Sequence, residues 1–138
     1  MNDIVLDKKE SIERCVKQIR TYYAMPSELP FGDDFLKQDA IAINFQRTCE
    51  QSIDLANHTL KTRKLGFPKT SKNSFSLLAK EGVIPLELAE NLANMDGFRN
   101  TLVYQYQDLD IELMQDVILN NLDDLIDFTN FIVKESLP

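Results

Sequence analysis

Apolar residues along this chain return every three or four positions, over stretches far longer than a strand. Val5, Ile12, Cys15, Val16, Ile19, Tyr22 and Tyr23 keep that spacing and predict a first helix over residues 3 to about 24. The segment MPSELPFGDD, residues 25–34, breaks the pattern with two prolines and a glycine. Asp33 or Asp34 then offers an N-cap to a second helix over about 34–63. Its apolar stripe is Ala42, Phe45, Cys49, Ala56 and Leu60, with Ile53 at the edge. A polar stripe of Asn44, Arg47, Gln51, Asp54 and His58 runs beside it at intervals of three and four. Two readings of that stripe stand open: a solvated face, or a groove or subunit interface, since amides, one charge pair and the single histidine replace simple Lys/Glu repeats.

LGFPKTSKN, residues 65–73, reads as a connector. Ser71 or Asn73 begins a short helix through Leu77, Leu78 and Ala79 that Gly82 ends, and Pro85 suits the first position of another over 85–96, stopped by Gly97. A last helix runs from about Ile111 to Val133, burying Ile111, Met114, Ile118, Leu122, Leu125, Phe128 and Ile132. Asp108 and Asp110 read as its caps, and Asp123, Asp124 and Asp127 as its solvated acidic face. No segment alternates as a strand does. The expectation is a single all-α domain over residues 1–138, an up-and-down helical bundle whose long helices neighbour one another through short links.

Charge narrows the function. Fifteen basic residues against 22 acidic ones give a net charge of −7, which argues against whole-surface attraction to nucleic acid. Any RNA contact then needs a local patch, plausibly built across two subunits. Cys15 and Cys49 are too few for a disulfide scaffold or a zinc site and read as buried free thiols. The N-terminus lacks a signal-peptide pattern and no apolar run is long enough to span a membrane, so a cytoplasmic protein without membrane association is expected. There is no glycine-rich phosphate loop, no HExxH and no nucleophile elbow, and with one histidine no metal site or cofactor is expected.

The stretch RNTLVYQY, residues 99–106, sets Arg99 five residues before Tyr104 and seven before Tyr106. On spacing alone these side chains could simply pack a helix start. The stretch resembles the Arg–x4–His–x–Tyr signature of the HepT-like toxins, members of the HEPN superfamily of helical ribonucleases. DDFLKQDAIAINFQRTCEQSIDLANHTL, LGFPKTSKNSFSLLAKEGVI and YQDLDIELMQDVI are similar to the same family, so the resemblance covers nearly the whole chain. It implies a homodimer with the two motifs facing across a cleft, metal-independent endonucleolytic cleavage of RNA, and an MNT-type nucleotidyltransferase as antitoxin that attaches AMP to the motif tyrosine. Matched position by position, Arg99 is the motif arginine, Tyr106 the motif tyrosine and target of AMP transfer, and Tyr104 stands where the family has histidine.

That exchange bears on the chemistry. Cleavage without metal requires a proton taken from the ribose 2′-OH and one given to the leaving 5′ oxygen. An imidazole with a pKa of about 6.5 can do both at neutral pH, whereas a phenol of pKa about 10 is a poor base. Arg99 keeps its part as a fixed cation for the scissile phosphate. Asp54, His58 and Asn100 are the candidate supporting polar residues, His58 as a substitute base or in a structural hydrogen bond. Two functions therefore remain open: a HepT-like toxin whose nuclease activity is weakened or lost, and a non-catalytic nucleotide- or RNA-binding helical module that partners a nucleotidyltransferase.

Overall fold

The structure, a computed structural model, describes residues 3–104 and 109–137. Among the described residues six α-helices follow one another: α1 Asp3–Ala24, α2 Phe35–Arg63, α3 Ser71–Lys80, α4 Leu86–Tyr104, α5 Ile111–Asn120 and α6 Leu122–Ser136, with a 3₁₀ turn, Phe31–Asp33, ahead of α2. No strand occurs among the described residues, and the all-α bundle matches the expectation from periodicity. The most extensive helix pair is α1 on α2, with α6 packing against both, α3 against α4, and α4 against α2. One continuous apolar core results. Ile12, Ile19, Leu55, Leu78, Phe128 and Ile132 have no more than 1 % of their surface exposed. Two edge-to-face aromatic pairs join helices across it, Phe45 to Phe98 at 5.5 Å and Phe75 to Phe128 at 5.6 Å.

Helix ends follow local chemistry. The Asp34 carboxylate accepts from the Lys37 N–H at the start of α2, the Thr70 hydroxyl accepts from the Asn73 N–H at the start of α3, and the Asp110 carboxylate accepts from the Leu113 N–H at the start of α5. Asp108, the other expected cap, lies outside the described residues. At the end of α2 the chain turns through Lys64 in the left-handed conformation (φ 56°, ψ 47°), and the Leu65 N–H reaches back to the Leu60 carbonyl at 2.9 Å.

Three expectations are corrected. Gly97 does not stop the fourth helix, which continues to Tyr104. Glycine in a helix costs about 1 kcal/mol relative to alanine, but Met95, Phe98 and Leu102 on the same helix are buried, and that packing outweighs the propensity. The long last helix is two helices meeting at Asn121 (φ −118°, ψ −9°), and the second runs on to Ser136. Consecutive asparagines at 120 and 121 weaken helical continuity there. Nor is the α2 polar stripe continuous. Asn44 is buried and its amide donates to the Ala40 carbonyl at 2.8 Å, while Arg47 and Asp54 remain exposed.

Candidate functional site

Arg99 lies on the last third of α4, one residue after Phe98, whose ring is locked against Phe45 of α2. The Arg99 side chain is only 19 % exposed. Its Nε donates to Asp96 Oδ1 at 3.0 Å, an i,i+3 pair along the helix. Its Nη1 stands 3.5 Å from Glu50 Oε1 of α2. The two carboxylates hold it unequally. Asp96 is itself almost buried, with 12 % side-chain exposure, so its contact is short and shielded. Glu50 is 48 % exposed, its contact is longer, and it also accepts from the Gln46 amide at 3.3 Å.

Among the described residues the guanidinium is therefore gripped at Nε and met at its outer edge by Glu50 alone. Paired hydrogen bonds to a phosphate use the outer nitrogens, and Glu50 stands against one of them, Nη1. One cation between two carboxylates carries a local net charge of −1. An incoming anion must displace Glu50, whose exposed pairing is of a kind worth about 0–1 kcal/mol. Asp96 and Glu50 were not singled out in the sequence. The Asp96–Arg99 spacing of three was a visible signal, but Glu50 reaches Arg99 only through the packing of α2 on α4.

Beneath this pair lies Cys49. Burial pushes its thiol far above the usual range and the Asp96 charge pushes it further, with Arg99 opposing and Glu50 adding to the rise. Cys49 is thus an inert, protonated core thiol, as its apolar position suggested.

The other expected site residues are placed unevenly. Asn100 is exposed on α4 beside Arg99. Asp54 turns to α1, where Lys8 Nζ donates to its Oδ2 at 3.3 Å, and not to Arg99. His58 is half-buried on α2, eight residues beyond Glu50, a displacement of about 12 Å along the helix axis. Its neighbour Asn57 accepts from the Ser74 hydroxyl at 2.6 Å. A single chain therefore gathers Arg99, Asp96 and Glu50, and leaves Asp54 outside that cluster. Tyr104 is the final residue of α4; its side chain and the whole of Tyr106 lie outside the described residues. Among the described residues no group of His, Cys, Asp and Glu is arranged to hold a metal ion, and no helix is long and apolar enough to cross a membrane.

Residues 12–132 match the HepT-like ribonuclease family. The mRNA nuclease HepT of Shewanella oneidensis is 40% identical over 135 residues, 98% of this chain and 100% of that protein. The tRNA nuclease HepT of Aphanizomenon flos-aquae is 35% identical over 65 residues, 47% of this chain and 44% of that protein. A solved structure of a tri-AMPylated Shewanella oneidensis HEPN toxin in complex with an MNT antitoxin superposes with a TM-score of 0.90 at 39% identity, covering 99% of this chain and 100% of that one.

Proposed function

The chain belongs to the HepT-like ribonuclease family, and from that premise we propose that it is the toxin of a HEPN/MNT toxin–antitoxin pair, a metal-independent RNA endonuclease whose rate is held down by Tyr104. The observation that carries the reading is Arg99, whose side chain is only 19 % exposed and which, among the described residues, is gripped at Nε by Asp96 and met at Nη1 by a half-exposed Glu50. Such a group is pre-oriented to accept a phosphodiester in place of Glu50, at little cost in side-chain freedom. The protein acts as a homodimer in which the two motifs share a cleft, so that groups absent from one chain's cluster come from the other.

With the scissile phosphate on Arg99, the ribose 2′ oxygen attacks the phosphorus, the bond to the 5′ oxygen breaks, and a cyclic phosphate end remains. The 2′ proton needs an acceptor and the 5′ oxygen a donor. A phenol of pKa about 10 is ionised in roughly one molecule in a thousand at pH 7, so Tyr104 accepts that proton poorly. General base catalysis is typically worth about 10²–10⁴-fold, and that is the factor by which Tyr104 slows the chain.

The MNT antitoxin neutralises the toxin by transferring AMP to Tyr106. The phenolic oxygen bonds to the α-phosphorus of ATP, pyrophosphate leaves, and the phenolic proton is released. The new phosphodiester brings a negative charge and the bulk of a nucleoside to the motif, occupying the ground a substrate phosphate needs beside Arg99. Incubation with an MNT-type nucleotidyltransferase and ATP, followed by mass spectrometry of the peptide holding residues 105–108, is expected to show added adenylate on Tyr106. Adenylate on another residue, or none, would overturn this mechanism.

A further inference from the structure

Beyond Arg99, the basic residues in ion pairs among the described residues are Lys8 with Asp54, Lys9 with Glu13, Arg20 with Asp123 and Arg63 with Glu135. Arg14 of α1 and Arg47 of α2 take part in none of these pairs. Both line one open cleft of about 420 Å³ between α1 and α2, together with Ser11, Cys15, Gln18 and Gln51, and among the described residues no carboxylate lines it. In a chain of net charge −7, two guanidiniums facing one cleft without a counter-charge stand out. Their convergence has an independent sign. Burial raises the Cys15 thiol, and the charges of Arg14 and Arg47 both pull it back.

We infer that the Arg14–Arg47 cleft is a phosphate subsite that holds the RNA backbone next to the phosphate bound at Arg99. The inference rests on the nuclease reading above. Its geometric basis is the exposed ridge of α2. Arg47 and Glu50 are three residues apart on that helix, which places their Cβ atoms about 5–6 Å from one another. Glu50 is the residue that touches Arg99. A strand seated on Arg99 therefore meets Arg47 after crossing one turn of α2, with Arg14 facing it from α1. The lining suits a phosphodiester: two guanidiniums supply paired donors to its oxygens, and Gln18, Gln51 and Ser11 add uncharged donors that read no base. A cleft with no aromatic residue in its lining does not stack bases, so it tracks backbone and adds affinity without sequence preference.

The test is binding of a fluorescent, non-cleavable 2′-O-methyl RNA oligonucleotide of mixed sequence, followed by anisotropy across a range of salt concentrations. Three variants are compared with the parent chain: Arg14→Gln/Arg47→Gln, Arg14→Lys/Arg47→Lys and Arg99→Gln. The glutamine pair is expected to bind at least several-fold more weakly and to lose about 0.7 from the slope of log K against log salt, the value of one single-strand phosphate contact. The lysine pair is expected to keep most of the slope. If the glutamine pair binds like the parent while Arg99→Gln weakens binding, the subsite is wrong and the nuclease reading survives. Should the glutamine pair keep RNA affinity but lose its MNT-type partner on gel filtration, the cleft is a protein-docking site and the inference fails. A parent chain with no salt-dependent RNA affinity would sink both.

Discussion

Arg99 sits between two carboxylates of unequal grip, and the difference decides which of them a substrate displaces. Asp96, short and buried, fixes the guanidinium; Glu50, longer and half-exposed, only covers it. Glu50→Gln removes the competing charge and leaves the side chain's shape. RNA affinity measured by anisotropy at low salt is expected to rise, by up to about five-fold if the pair is worth what exposed pairs usually are. Asp124 carries a second residue-level consequence. Burial raises its carboxyl above the ordinary value; the Asn121 and Asn91 hydrogen bonds lower it, and Asp127 and Asp123 raise it. Because the folded pKa exceeds the unfolded one, the fold favours the neutral acid. That contribution is complete below the unfolded pKa of about 3.9 and is lost as pH rises through the folded value. At neutral pH the charged Asp124 therefore costs stability. Asp124→Asn is expected to raise the melting temperature at pH 7, with the gain disappearing toward pH 4 in thermal scans followed by circular dichroism.

At the scale of elements, apolar periodicity located α1 and α2 between their proline and glycine breaks, and a start at Ser71 or Asn73 with a stop at Gly82 located the short α3. It missed where punctuation is overruled. Gly97 looked like a terminator, but Met95, Phe98 and Leu102 hold α4 together through it, so that Arg99 lies within the helix, in its last third. Asn121 looked like an ordinary helical position and instead divides α5 from α6. The candidate site was legible only where it is local. Arg99 stands in a short motif, and Asp96 lies one turn before it, whereas Glu50 is 49 positions away in sequence and becomes a partner only when α2 meets α4. Asp54 was read on the α2 polar stripe as a supporting site residue, yet Lys8 of α1 pairs with it. The α2 terminus offers a test at this scale. Lys64 adopts left-handed backbone angles that cost an L-residue roughly 1–2 kcal/mol and cost glycine almost nothing. Lys64→Gly is expected to stabilise the protein by about 1 kcal/mol, less the added freedom of glycine in the unfolded chain. The readout is a higher urea midpoint at unchanged m-value.

For the whole molecule, the core and the site are one construction. Phe128 of α6 is fully buried against Phe75 of α3, and α6 also packs on α1, α2 and α4. Phe128→Ala is expected to cost about 3–5 kcal/mol, seen as an earlier chemical-denaturation midpoint, because the fully buried ring joins α6 to α3 inside the core. The same packing sets the relation of α4 to α2 and hence of Arg99 to Glu50 and the neighbouring Arg47. An acidic chain of net charge −7 needs its cations gathered locally to act on RNA, and Arg14 and Arg47 line one cleft beside the turn of α2 whose Glu50 pairs with Arg99. In the proposed function these arginines serve a nuclease slowed at one position, Tyr104. The direct measurement compares the chain with Tyr104→His on mixed cellular RNA in the presence of EDTA, reading rate and end chemistry together. A gain of about 10²–10⁴-fold with cyclic phosphate ends, abolished by adding Arg99→Gln, is the predicted result. A folded Tyr104→His protein that leaves RNA uncut would contradict it and identify the chain as a non-catalytic binding module.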